Sequence, residues 1–266
     1  MKLFIPRYVL AAILTVTCFS FLASCKKSPG EKLVWSDEFD KDGMPDDAKW
    51  KYDVGGNGFG NNELQYYTDH KKENAFVKDG HLVIRAIKEN FEGNTYTSAK
   101  LWTKGIASWD HGKIEVKAKL PAAKGTWPAI WMLPDVPQLH WPDDGEIDIM
   151  EHVGYDPGII HGTVHTKSYN HVINTQKSGQ YTEPNATSGF HIYTIEWDQQ
   201  QIDWFVDNNH YFTFQNEGKG KDTWPFDVKF YLILNLAVGG NWGGKMGVDS
   251  TAFPQQMEVD YVRIYQ

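Results

Sequence analysis

Beyond Leu33 the chain alternates apolar and polar residues, the period-two signature of strands half buried in a sheet. The run GKIEVKAKL (112–120) is the clearest case. Ile114, Val116, Ala118 and Leu120 alternate with Lys113, Glu115, Lys117 and Lys119, which predicts one buried face and one wet face. LVWSDEF (33–39), NELQYYT (62–68), HLVIRAI (81–87), TYTSAKLWT (95–103) and IIHGTVHT (159–166) are further strand-like runs. HIYTIEWD (191–198), QIDWFVD (201–207), HYFTF (210–214), FYLILNLAV (230–238) and MEVDYVRIYQ (257–266) continue the pattern. Asp79-Gly80 and Asn208-Asn209 suit two-residue hairpin turns that need positive φ. Many short strands with hardly any helical period between them predict an all-β chain, an antiparallel two-sheet sandwich or barrel. The Gly-rich stretches 55–63 and 239–247 read as surface loops, and no long linker follows Glu31.

One stretch resists this reading. DDGEIDIMEHVG (143–154) sets Glu146, Asp148 and Glu151 among Ile147, Ile149 and Met150. Ionised carboxylates placed together in a buried strand are costly unless paired, hydrogen-bonded or partly neutralised. Alternation puts Glu146 and Asp148 on one face, and Glu151 has the wrong parity to join them. A β-bulge, with Met150 supplying the extra step, restores Glu151 to that face. Two carboxyl groups flanking a sugar–sugar bond are the working parts of a glycosidase, and a third acid between them pushes their pKa values apart. A calcium site or a solvated strand are the alternatives, although EIDIME lacks the turn glycine and oxygen-rich spacing of a calcium loop.

The ends and the composition narrow the setting. Lys2 and Arg7 precede an apolar run, Tyr8 to Ser24, which predicts a signal peptide over residues 1–24, a retained membrane anchor being the alternative. Leu22 to Cys25 resembles a bacterial lipobox, so Cys25 is the expected acylated N-terminus, with residues 25–32 a polar tether. This predicts a membrane-anchored bacterial lipoprotein, periplasmic or on the cell surface. From Cys25 onward there are 34 acidic and 24 basic residues, a formal charge of −10. Such a balance argues against nucleic acid as a partner. With Cys18 removed and Cys25 acylated, no intrachain disulfide is expected. All 11 Trp follow Leu33, and flat amphipathic rings suit the CH faces of sugars.

GEIDIMEHVG resembles the E-x-D-x-x-E signature of glycoside hydrolase family 16 in its bulged form. NNELQYYT (61–68), GTWPAIWMLP (125–134), HGTVHT (161–166), NLAVGGNW (235–242) and FPQQMEVDYVRIYQ (253–266) resemble its laminarinase-like branch, the endo-β-1,3-glucanases. The resemblance runs from about Leu33 to Gln266. It implies a single catalytic domain over residues 33–266, a concanavalin A-like jelly-roll sandwich of two antiparallel sheets with a concave cleft. It also implies a monomer that cleaves a polysaccharide, a β-glucan such as laminarin, by retaining double displacement without a catalytic cofactor. Glu146 is then the nucleophile, Glu151 the general acid and base, and Asp148 the residue that hydrogen-bonds Glu146.

Trp127 and Trp131, at i, i+4 on one strand face, match the family's glucose-stacking positions; core packing is the alternative. His165 is expected near the catalytic face or as a satisfied core histidine. Asn62 and Glu63 match a segment at the non-reducing side of the cleft, with Trp242 in a loop nearby. A structural calcium on the convex side is implied at Glu38, the Gly80 carbonyl and Asp260. The competing functions are an agarase or carrageenase of the same family, a β-glucan transglycosylase, and a non-catalytic carbohydrate-binding sandwich. The last would be expected to lack at least one of the acids, and all are present.

Overall fold

The structure, a computed structural model, describes residue 1 and residues 31–266. The expected signal peptide and the Cys25 acylation site lie outside the described residues. Strands β1 (Leu33–Asp37), β2 (Lys51–Tyr52), β3 (Gln65–Tyr67), β4 (Ala75–Lys78), β5 (His81–Phe91) and β6 (Asn94–Ser98) come first. Then follow β7 (Lys100–Trp102), β8 (Gly112–Lys119), β9 (Thr126–Pro134), β10 (Glu146–Glu151), β11 (Ile159–His165) and β12 (Lys177–Thr182). The last are β13 (His191–Trp197), β14 (Gln201–Val206), β15 (Asn209–Gln215), β16 (Phe230–Val238) and β17 (Gln255–Tyr265).

The strands form two sheets. The ten-stranded sheet runs β15-β14-β13-β8-β17-β5-β6-β3, with β1 paired to β17 and β4 to β5. The seven-stranded sheet runs β12-β11-β10-β9-β16-β7-β2 and carries the acidic strand near its centre. Pairing is antiparallel except between β3 and β6, which lie parallel, a departure from the purely antiparallel expectation. The core is the layer between the sheets. Ile114, Val116 and Ala118 of β8 are fully buried there, as the alternation predicted, and meet Ile130, Met132, Ile147 and Leu234 from the other sheet.

Two local expectations are corrected. Asp207 and Asn208, not Asn208 and Asn209, carry the positive φ values of the β14–β15 turn, at 49° and 69°. Val206 pairs with Asn209, so Asn209 is already strand. The single run 95–103 is two strands, β6 and β7, which belong to different sheets and meet at the fully buried Ala99. Apolar alternation alone cannot reveal such a change of sheet, because residues on both sides of it are buried.

β16 is buried along all nine residues, on both faces. One face packs in the core. On the other, Ile233 and Tyr231 join Leu133 under a cover of Trp102, Trp131, Leu139 and Trp141. From that second, smaller apolar cluster Trp131, Leu133, Leu139 and Trp141 line the cleft.

Candidate active site

The register of β10 shows how its acids come to face one way. Against β9, Ile147 pairs with Met132 and Asp148 with Trp131, but the next pair is Met150 with Ile130. Ile149 is skipped. Against β11, Asp148 faces Thr163 and Glu151 faces His161, so the register slips there too. The expected bulge is therefore present, but its unpaired residue is Ile149 rather than Met150. Ile147, Ile149 and Met150 all turn into the core, while Glu146, Asp148 and Glu151 line an open cleft.

The opposite sheet steadies this irregularity. Trp204 on β14 is fully buried and donates its indole N–H to the Asp148 carbonyl at 2.8 Å, at the start of the bulge. Gly162 makes room for it, because a Cβ there would fall 2.5 Å from Trp204 Cδ1. A bulge disrupts its ladder locally, so a donor from across the core compensates.

Each flanking acid has its own indole donor. Trp141 Nε1–H donates to Glu146 Oε2 at 2.8 Å, and Trp127 Nε1–H donates to Glu151 Oε1 at 3.0 Å. His165 Nε2 lies 3.3 Å from Asp148 Oδ2 and 3.7 Å from Glu146 Oε1. Burial is the largest influence on all three acids. It pushes Glu146 up to about 8, with the neighbouring Asp148 pushing the same way while His165 and the Trp141 N–H oppose it. Glu151 is pushed up to about 7, against the pull of His165 and the Trp127 donor. Asp148, the most enclosed of the three, is held well above the usual carboxylate range by burial and then by Glu151. Asp148 lies within hydrogen-bonding reach of Glu146. With a proton on Asp148, its hydroxyl donates to Glu146, which can then be ionised between two donors. Glu151, near neutrality, can hold a proton of its own. A proton on Asp148 also removes that group's push on Glu146, so Glu146 can ionise below its raised value while Glu151 keeps a proton on the same cleft wall.

Comparison with known proteins agrees with this geometry. Residues 62–263 match the family model described as glycosyl hydrolases family 16. The chain belongs to glycosyl hydrolases family 16. This family-16 chain is 56% identical over 248 residues to a β-glucanase of Rhodothermus marinus, covering 90% of this chain and 87% of that protein. The solved laminarinase of Rhodothermus marinus superposes with a TM-score of 0.88 at 55% identity, covering 90% of this chain and 99% of the other. The laminarinase of Flavobacterium sp. UMI-01 gives 0.81 at 40% identity, covering 88% and 100%. The two-sheet sandwich is thus the family's jelly roll.

In the family-16 chain the proposed sugar-facing residues separate. Trp127, Trp131 and Glu63 line the cleft. Trp131 spends its N–H on Asn235 Oδ1 at 2.7 Å, and Trp127 spends its own on Glu151, which leaves ring faces for contact. Glu63 accepts from Gln65 Nε2 at 2.6 Å and from the Tyr67 hydroxyl at 3.3 Å, and burial raises its pKa. His165, largely buried, stands beside the acids rather than in the core. Asn62 does not reach the cleft wall. Its side chain donates to Asn241 Oδ1 at 2.8 Å and ties the 55–63 loop to the 239–247 loop. Trp242, half-buried, lies edge-on to Trp127 with centroids 5.6 Å apart and to His161 at 4.8 Å.

The calcium set does not assemble as ligands. Both Glu38 oxygens accept from the Arg263 guanidinium, at 3.0 and 2.8 Å. Asp260 Oδ2 lies 2.6 Å from Lys117 Nζ. With each carboxylate already neutralised by a cation, these residues do not fit a calcium ion as arranged.

Several cleft residues escaped the sequence reading. Trp141, five residues before Glu146, holds the nucleophile candidate and packs on His171 with centroids 5.0 Å apart. Lys100 lies 2.8 Å from Asp53 and 5.0 Å over the Trp131 ring. Asn235 bonds both Trp131 and the Tyr67 hydroxyl, at 2.7 and 2.9 Å. A signal for Asn235 was available: it is the lone polar residue within FYLILNLAV, the same anomaly that marked the acids of β10.

Proposed function

We propose that this chain hydrolyses internal β-1,3-glucosidic bonds of β-glucans such as laminarin, by retaining double displacement. The observation that carries the reading is the bulged strand, which turns Glu146, Asp148 and Glu151 into one aromatic cleft. Glu146, held by Trp141 and by Asp148, attacks the anomeric carbon and forms a glycosyl–enzyme ester. Glu151 gives its proton to the departing glycosidic oxygen. Once ionised, it takes a proton from the water that hydrolyses the ester, which returns both acids to their starting states. No metal or organic cofactor is needed for these steps.

The cleft's charge favours a neutral glucan over a sulfated galactan. Lys100 is the only cationic Lys or Arg lining it among the described residues, and Asp53 already neutralises that charge. Four acids face the same space: Glu63, Glu146, Asp148 and Glu151. With Glu146 ionised and Lys100 already paired, a sulfated chain would find no free cation among the described residues to hold it.

Glu146→Gln and Glu151→Gln should each abolish release of reducing sugar from laminarin while leaving the thermal melt in place. Full activity in either variant would defeat the assignment. Wild-type protein offered laminarin, lichenan, agarose and carrageenan should degrade laminarin to a spread of oligosaccharides. A single small product would contradict endo action. For location, the lipobox-like segment ending in Cys25 supports an acylated anchor on a membrane. Cys25→Ser should then release the protein from the membrane fraction, and an unchanged distribution would argue against the anchor.

A further inference from the structure

Asp148 Oδ2 is sealed from solvent and has no hydrogen-bond partner. The Asp148 side chain is only 4% exposed and that of His165 only 8%, and both turn toward Glu146. The His165 Nε2 distances to Asp148 Oδ2 and Glu146 Oε1, 3.3 and 3.7 Å, carry information beyond acid–base chemistry. One donor atom from each of the three residues lies within 4.8 Å of the others. Nitrogen and oxygen ligands at about 2.0–2.1 Å from a tetrahedral ion sit roughly 3.3 Å apart. The spacing of this trio approaches that of ligands around one ion.

The geometry points to a divalent transition-metal site of the zinc class at Glu146, Asp148 and His165, whose occupancy inhibits the enzyme. Imidazole beside carboxylates suits zinc, nickel or copper better than calcium or magnesium, which take oxygen. Glu146 and Asp148 line the open cleft, which gives an ion its way in. Trp141 Nε1–H fixes Glu146 through its other oxygen, and His171 lies edge-on to His165 with centroids 5.1 Å apart. An ion held here takes the electron pair of the nucleophile, so it competes with substrate. The inhibitory half of this inference rests on Glu146 being the nucleophile; metal binding itself does not.

A second cluster of the same residue types, Glu183, His191 and Asp207, serves as a control. There Asp207 Oδ2 already engages His191 Nδ1 at 2.6 Å. Calorimetric titration of the full chain with ZnCl2, without sugar, should show one equivalent bound. His165→Gln and Asp148→Asn should each weaken binding by more than the about tenfold that outer-shell changes cost. His191→Gln should leave it unchanged. Cobalt(II) added to wild-type protein should give visible bands of nitrogen–oxygen coordination, a readout that needs no variant. Laminarin hydrolysis should be inhibited with a rise in KM. Absence of zinc binding in the wild type, or equal binding in His165→Gln, would overturn the site. Binding that His191→Gln removes would place the ion in the other cluster and overturn it too. Wild-type protein that binds zinc but leaves laminarin intact even when free of metal would count against the proposed function and not against the site.

Discussion

The indole N–H of Trp141 and the Oε2 of Glu146 are joined at 2.8 Å, five residues apart in the chain. The strand starts at Glu146, so Trp141 belongs to the preceding loop and folds back over the strand it leads into. A hydrogen bond to a charged group contributes about 1.5–3 kcal/mol. Trp141→Phe keeps the ring and removes the donor. It should lower kcat/KM on laminarin by about ten- to a hundredfold, with the thermal melt nearly unchanged. Steady-state kinetics read the first outcome and calorimetry the second.

Trp127 does for Glu151 what Trp141 does for Glu146, and the consequence appears in the pH profile. As the proposed general acid, Glu151 must enter the reaction protonated, so activity should fall as pH rises through its pKa, pushed up by burial to about 7. The Trp127 donor favours the ionised form and opposes that rise. Trp127→Phe should therefore shift the alkaline limb of kcat/KM upward, by about one pH unit. A limb that stays in place would show that another group sets it.

His152 offers a test of stability rather than activity. It is fully buried, its Nε2 accepts the Gly158 N–H at 3.2 Å, and burial pushes its pKa down to about 4. In the unfolded chain a histidine titrates near 6.5 and binds its proton more tightly than this one does. Its contribution is therefore complete above pH 6.5 and is lost as pH falls toward 4. The gap amounts to about 3 kcal/mol at most. His152→Gln retains an acceptor for Gly158 but does not titrate. Denaturant unfolding at pH 7 and pH 4.5 should show a smaller acid-side loss in the variant than in the wild type.

Parity along β10 can be tested by changing its length. Removing Ile149 leaves E-I-D-M-E, in which plain alternation already places both glutamates on one face. That deletion should lower the melting temperature, since a buried side chain is lost, yet keep measurable release of reducing sugar. Inserting one Ala after Met150 turns Glu151 toward the core if the bulge is kept, or carries it two strand positions, about 7 Å, farther from Glu146 if it is lost, and should abolish activity either way. Equal activity in the two variants would contradict the parity argument.

Much of this was legible in the chain. Alternation located most of the strands, and the carboxylates breaking an apolar run located the cleft that they share. Their parity mismatch even predicted the bulge. Parity puts the extra step at Met150, but Ile149 fills that place, since parity counts residues and only the pairing with β9 shows which one is skipped. The change of sheet at Ala99 was hidden because burial reads alike in both sheets.

Asn62 shows the limit from the other direction. A motif placed it at the cleft, but its positive φ of 56° and its bond to Asn241 turn it toward a neighbouring loop. By itself the sequence determined the strand pattern, the family and the three acids, because these depend on local alternation and residue type. The tertiary structure alone decided that Trp204 braces the bulge from the other sheet, that Trp127 and Trp141 each hold one acid, and that Asn235 links Trp131 to Tyr67. Most of these contacts join residues far apart in the chain, and a hydrogen bond depends on distance and direction in space, which residue order does not encode.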